Sequence, residues 1–381
     1  MARGDGIHRT NARNMRLTAA KIGNVQQHNE REKESYANQD IVPERTQLNV
    51  HFKKPAGTSR GIYTTRQSWL LRITSPDHPE RTAWGECAPL PALSCDDLPD
   101  YTNILRKICD EVQKDGILDH QKWQEFPSML FGLETALRHW DTGHFALWNT
   151  PFSRGEEGIC INGLIWMGDY ESMYHQIETK MEAGYRCIKL KIGAIDFEKE
   201  MDLLQFIRRH FSVKDVELRV DANGAFTPDD APKKLERLAR LDLHSIEQPI
   251  RAGQAEAMAA LTASSPLPIA FDEELIGINT EKGKAELLDS LKPQYIVLKP
   301  SLHGGMAGCK KWIELAEERG IGWWVTSALE SNIGLNAIAQ WCATLHPSMP
   351  QGLGTGLLFT DNIPMPLEIR KDCLWYVAER H

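Results

Sequence analysis

The stretch CIKLKIG at residues 187–193 runs apolar apart from two lysines, Lys189 and Lys191, and then breaks at a glycine. The same event recurs down the chain. Apolar strand-like segments at 216–220, 243–246, 268–271, 295–298 and 322–326 run into Asp221, Glu247, Asp272, Lys299 and Ser327, and a glycine-rich GLGTG surrounds Gly354. From Lys191 the spacings are 30, 26, 25, 27, 28 and 27 residues. One strand, one helix and two short loops need about that length. Amphipathic patterns between the strands predict helices at 171–183, 197–210, 229–241, 254–263, 281–291, 306–319 and 334–345. Strands apolar on both faces, alternating with helices, indicate parallel βα units. Polar residues that end successive strands emerge on one rim, and in a closed barrel that rim is the C-terminal face where active sites lie. An open doubly wound sheet would spread them along a line, and no Gly-rich turn follows the first strand as dinucleotide binding requires.

Upstream the pattern differs. Strands are predicted at 47–52, 68–74 and 82–86, separated by the turn signals Pro55-Ala56-Gly57 and Pro76-Asp77. Helices are predicted at 97–112, with Asp97 as its cap, and at 128–140. This is an α+β unit. Residues 159–165 then read as one strand opening the barrel. Residues 1–45 are basic and poor in large apolar residues, and are expected to be a poorly ordered extension or an appended leader.

The 381 residues carry 44 Lys plus Arg against 52 Asp plus Glu, a net charge of −8, which offers no general attraction to nucleic acid or anionic membranes. No apolar run approaches the ~18 residues of a membrane helix. The eight cysteines, at 87, 95, 109, 160, 187, 309, 342 and 373, form no CxxC and no zinc-finger spacing, so dispersed thiols in a reducing cytoplasm are expected. A homo-oligomer remains compatible with these features.

Asp221, Glu247 and Asp272 are three carboxylates on consecutive strand ends. Without a partner they repel, and at least one must take up a proton. A hard divalent cation resolves this, and Mg²⁺ fits because it takes a few carboxylates and leaves room for water and substrate. Each acid alone reads equally well as a solvated loop residue; three at this spacing do not. A strand-end lysine alone is usually a surface charge. Lys191 and Lys299 on opposite sides of a cation are instead equipment for removing a proton α to a carboxylate, because the enolate formed needs positive charge around it. Lys189, two residues before Lys191, points to the same side and adds to that field.

KLKIG (189–193), VDANG (220–224), IEQP (246–249), FDE (271–273) and LKP (298–300) resemble the muconate-lactonizing subgroup of the enolase superfamily. The resemblance runs from about Leu48 to Trp375. It implies an α/β fold, a modified TIM barrel (β/α)7β behind an N-terminal α+β capping domain. Expected bounds are 46–150 for the cap, 151–360 for the barrel, and 361–381 for a segment returning to the cap. It further implies Asp221, Glu247 and Asp272 as ligands of Mg²⁺ (Mn²⁺ as substitute) and Lys191 and Lys299 as the acid/base pair. Ser327 stands where the mandelate-racemase branch would place a histidine, which disfavours that branch.

Residues 55–73, 84–91, 127–137 and 327–331 are similar to the o-succinylbenzoate synthase family within the subgroup. That similarity implies a small carboxylate substrate, 2-succinyl-6-hydroxy-2,4-cyclohexadiene-1-carboxylate, and its syn dehydration on the route to menaquinone. Lys191 would move the proton and Lys299 would stay a cation. Ser59 and Arg60, in a loop at 57–61, would close over the site. Lys189, Asn223, Ser327, Gly354 and Thr355 would contact substrate, although loop glycines also serve simply as turns and Ser327 could instead cap the next helix. Rival readings are a dipeptide epimerase or N-acylamino acid racemase, a muconate cycloisomerase, and a non-catalytic metal-binding barrel. The epimerase would need an acidic pair after the last strand, where Asp361 is the nearest acid.

Overall fold

A computed structural model describes residues 36, 39–44, 47–58 and 61–377. An antiparallel sheet comes first, of β1 (Asp40–Pro43), β2 (Leu48–Thr58), β3 (Gly61–Thr74) and β4 (Ala83–Cys87), with β3 pairing the other three. Thus 40–43, within the expected extension, is an edge strand on β3, and the ordered sheet begins before residue 46. Two helices cover one face, α1 (Tyr101–Asp115) and α2 (Pro127–Thr142). Leu71, Ile73, Leu105, Ile108, Val112, Leu133 and Trp140 form the core of this cap.

Two readings here need correction. Pro55-Ala56-Gly57 is not a turn, because β2 runs through it with a register shift between His51 and Ala56 that absorbs the proline. Nor does Asp97 cap α1. Its carboxylate accepts from the Ala92 N–H at 2.8 Å, and the helix starts after Asp100.

The barrel strands are β6 (Gly163–Ile165), β7 (Cys187–Lys191), β8 (Glu217–Asp221), β9 (Ser245–Glu247), β10 (Ile269–Phe271), β11 (Tyr295–Leu298) and β12 (Gly322–Val325). They lie side by side in chain order, every pair parallel. Seven helices alternate with them: α3 (Tyr170–Glu182), α4 (Phe197–His210), α5 (Ala231–Ala239), α6 (Ala255–Ser264), α7 (Glu281–Leu291), α8 (Gly305–Glu317) and α9 (Asn332–Thr344). Side-chain caps start several of them: Asp169, Asp196, Thr280 and Ser331 accept from backbone N–H groups in the first turns of α3, α4, α7 and α9. Gln351 and Gly352 close the ring. Gly352 bridges Thr326 beyond β12, and Gln351 bridges Ile161 before β6. That bridging pair is the eighth strand position of a (β/α)7β barrel.

Residues 159–165 are not one strand. Ile159–Cys160 is β5, whose ladder partner is β14 (Cys373–Tyr376), itself paired with β13 (Leu367–Arg370), while the Cys160 carbonyl accepts from the Gln351 N–H at 2.8 Å. The run reads as continuous because both halves are apolar, yet Asn162-Gly163 turns the chain from one sheet into the other. The C-terminal segment therefore returns mainly to the strand that precedes the barrel. Phe359, Thr360 and Asp361 reach β2, at Phe52 and His51. Among the described residues no helix is long and apolar enough to cross a membrane.

Candidate active site

Register brings the charges together. Lys191 lies level with Asp221 across β7 and β8, and Asp221 level with Glu247 across β8 and β9. Lys189 and Lys191, two apart on one strand, leave the same face. Lys189 Nζ donates to Glu247 Oε2 at 2.7 Å and Asp221 Oδ2 at 3.2 Å. Lys191 Nζ donates to Asp221 Oδ2 at 3.1 Å and Asn223 Oδ1 at 2.6 Å, and sits 5.4 Å from the Trp166 ring centroid. Across the ring, Lys299 at the end of β11 donates to Asp272 Oδ2. The Lys191 and Lys299 side chains are 9% and 15% exposed, so neither ammonium turns to bulk solvent.

Burial raises the pKa of the Asp221 carboxyl, but Lys191, Lys189 and Lys299 outweigh it and hold the group well below the carboxylate range. Asp272 is likewise lowered, burial being overcome by Lys299. Burial and then Asp221's charge push Glu247 up to about 8, and burial and then Asp272 push Glu273 up to about 7. Lys189 would be lowered by burial, yet Glu247 and Asp221 raise it; Asp272 does the same for Lys299. A charged Glu247 in turn raises Lys189. Their 2.7 Å contact favours the ion pair. Four buried carboxyl groups thus face three ammonium groups at the barrel mouth, and two of the four, Glu247 and Glu273, are raised by burial and by their crowding.

Glu247 Oε1 and Asp272 Oδ1 are buried and have no hydrogen-bond partner among the described residues, which a buried carboxylate oxygen rarely tolerates. As placed, no three His, Cys, Asp or Glu side chains among the described residues stand close enough to hold a metal, because Lys189 Nζ sits between Asp221 and Glu247. The donor set, three carboxylates with two unused oxygens, fits a hard divalent ion.

The remaining predicted residues divide. Asn223 joins the cluster, accepting from Lys191 and donating from Nδ2 to Glu273 Oε1 at 3.1 Å. Ser327 and Thr355 line the same cavity, their hydroxyl oxygens 2.6 Å apart. Ser327 does not cap α9; Ser331 does. Gly354 stands one residue behind Thr355, off the cavity wall, and precedes the short 3-10 turn Thr355–Leu358. Ser59 and Arg60 lie outside the described residues; Gly57 and Thr58 pair with Ile62 and Gly61 in the β2–β3 hairpin.

Sequence reasoning missed Glu273, Trp166, Leu90 and Leu93, all on the cavity wall. Glu273 was legible in FDE, but strand alternation would turn it away from Asp272. The strand ends at Phe271 and a 3-10 turn begins at Glu273, so alternation no longer applies there. Leu90 and Leu93 come from the cap, a contribution no barrel periodicity announces.

Residues 172–375 match the family described as Enolase C-terminal domain-like, and residues 59–140 match MenC, N-terminal domain. A match to plasmid recombination enzymes, over 8–62, includes none of the rim residues. The chain is 47% identical to an o-succinylbenzoate synthase of Desulfotalea psychrophila, the alignment covering 88% of this chain and 96% of that protein. The crystal structure of MenC from the same organism superposes with a TM-score of 0.77 at 40% identity, covering 89% of this chain and 99% of that one. A substrate-liganded L-Ala-D/L-Glu epimerase of Bacillus subtilis shares the fold, with a TM-score of 0.72 at 21% identity over 88% of this chain and 96% of that one. With a ring of parallel strands, a cap over its mouth and this degree of identity, the chain belongs to the o-succinylbenzoate synthase family, lyases of the enolase superfamily.

Proposed function

We propose that the protein carries out the Mg²⁺-dependent syn dehydration of 2-succinyl-6-hydroxy-2,4-cyclohexadiene-1-carboxylate to 2-succinylbenzoate. The observation that carries this reading is the placement of Lys191 and Lys299 on opposite sides of three buried carboxylates. Asp221, Glu247 and Asp272 would hold the metal, and Glu273 adds a fourth carboxyl beside them. When bound, Mg²⁺ supplies the positive charge that makes the proton α to the substrate carboxylate acidic. Lys191 Nζ takes that proton and, lying on the same face as the leaving group, returns it to the departing hydroxyl. Asn223 Oδ1 and the Trp166 ring hold Lys191 in place. Lys299 remains an ammonium, stabilising the electron-rich ring from its other face. The Ser327 and Thr355 hydroxyls are set to receive the succinyl carboxylate, and Leu90 and Leu93 exclude water from the apolar ring.

An amino-group ligand of the epimerase kind has weak support here. Asp361 is taken by His51, accepting from its backbone N–H and lying 2.7 Å from its Nδ1, and is not on the cavity wall. The test is loss of the cyclohexadiene absorbance with the proposed substrate, run beside a dipeptide panel scored for α-deuterium exchange. EDTA should abolish turnover and Mg²⁺ should restore it. Dipeptide exchange without dehydration would overturn the substrate; full activity after chelation would overturn the metal.

A further inference from the structure

The strand pair that joins β14 to β5, at the entry of the barrel, carries a second chemistry. In the β5–β14 register Cys160 lies directly opposite Cys373. The neighbouring pair is hydrogen-bonded, Ile161 N–H donating to the Asp372 carbonyl at 2.8 Å. Cys160 and Cys373 therefore occupy a non-hydrogen-bonded position, where Cα atoms approach to about 4.5 Å and side chains lie closest. That spacing lies inside the window of about 4.4–6.8 Å that a disulfide spans. Their sulfurs are 3.5 Å apart.

The two thiols are unequal. Cys160 is exposed, and Arg186 Nη2 donates to its sulfur at 3.7 Å. Cys373 is half-buried, and burial followed by its contact with Cys160 pushes its thiol up to about 12. Its thiol donates to Asp372 Oδ1 at 3.6 Å, which keeps the proton on Cys373 until the second step. Cys160, Arg186, His346 and Asp372 also line a surface cavity of about 510 Å³, which gives a small oxidant access.

We infer that Cys160 and Cys373 form a reversible disulfide, a thiol-oxidation site remote from the barrel mouth, with a hydroperoxide as oxidant. The Cys160 thiolate attacks a peroxide oxygen, the O–O bond breaks, and hydroxide leaves Cys160 as a sulfenic acid. Cys373 then attacks that sulfur, the S–O bond breaks, and the hydroxyl departs with the Cys373 proton as water. Two thiols lose two protons and two electrons, the Cys160 proton joining the departed hydroxide, and one hydrogen peroxide becomes two waters. The bond closes a loop of 373 − 160 = 213 residues around the whole barrel, restricting the unfolded chain.

The test treats the reduced full chain with a small excess of hydrogen peroxide, blocks remaining thiols with N-ethylmaleimide, and maps the digest by mass spectrometry. Expected are a linked peptide pair joining Cys160 to Cys373, six of the eight cysteines still alkylated, and reversal by dithiothreitol. The oxidised protein should melt roughly 5 °C higher. Cys160→Ser and Cys373→Ser should each lose both the link and the shift. The inference is overturned if both cysteines remain alkylated at a peroxide level that oxidises exposed Cys95. It is equally overturned if Cys160 runs on to a sulfinic acid or pairs with a cysteine other than Cys373.

Discussion

Lys191 and Lys299 stand four strands apart along the ring, and in the proposed reaction the first takes a proton while the second keeps its own. Lys191→Ala should lower kcat by about 10²–10⁴ with the fold intact by circular dichroism; a rate within tenfold of the parent would remove it as the base. Lys299→Ala should also lower kcat, because the ring loses its opposing cation, while Lys299→Arg, still charged, should recover part of it. The rim was readable because each of these residues ends an apolar strand, and a constant spacing puts such ends on one circle. Glu273 was not readable in that way, since its side depends on where β10 stops. Nor was Arg66, buried in the cap and donating to the Ala88 and Pro89 carbonyls on one side and to that of Leu329 on the other. Hydrogen bonds to backbone carbonyls leave no pattern in the sequence to betray such an arginine.

Between elements, the tightest joint is that of β4 with α2. A Cβ on Gly85 would lie 2.0 Å from the Gly132 carbonyl, and one on Gly132 would lie 2.2 Å from the Cys87 sulfur. Gly85→Ala should therefore destabilise the protein by about 1–3 kcal/mol, read as a lower urea midpoint with an unchanged slope; an unaltered midpoint would mean that the helix shifts without cost. Because Leu90 and Leu93 follow β4 directly, the variant should also raise KM more than it lowers kcat. Helix and strand existence was legible wherever periodicity was strong, and Glu281–Leu291 forms over the predicted span. Continuity was not legible. An apolar run such as 159–165 looks the same whether one sheet or two bury it, and Pro55 signals a turn unless a bulge makes room for it.

For the molecule as a whole, stability should depend on pH through groups far from the rim. His139 on α2 is buried and accepts from the Trp84 N–H at 3.1 Å through Nδ1, so the fold requires its neutral ring; burial lowers its pKa to about 4. The unfolded chain takes up this proton near pH 6.5, whereas the folded one resists until about 4. The contribution is thus complete above 6.5 and is lost as pH falls between those values. Asp96, raised by burial to about 6 against the pull of Ser128, works in the opposite sense, gaining stability as pH falls below 6. Comparison with His139→Gln isolates the histidine: between pH 7 and pH 5 the variant should gain about 2 kcal/mol on the parent, measured by urea unfolding, and parallel curves would refute the assignment. The ring closed by Gln351 and Gly352 also sets an order of events during synthesis. A nascent chain on the ribosome holds β6 to β12 with an open edge until residue 352 clears the exit tunnel, and an unpaired edge invites wrong partners. Translation stalled before that point should leave a protease-sensitive half-ring and a client for chaperones.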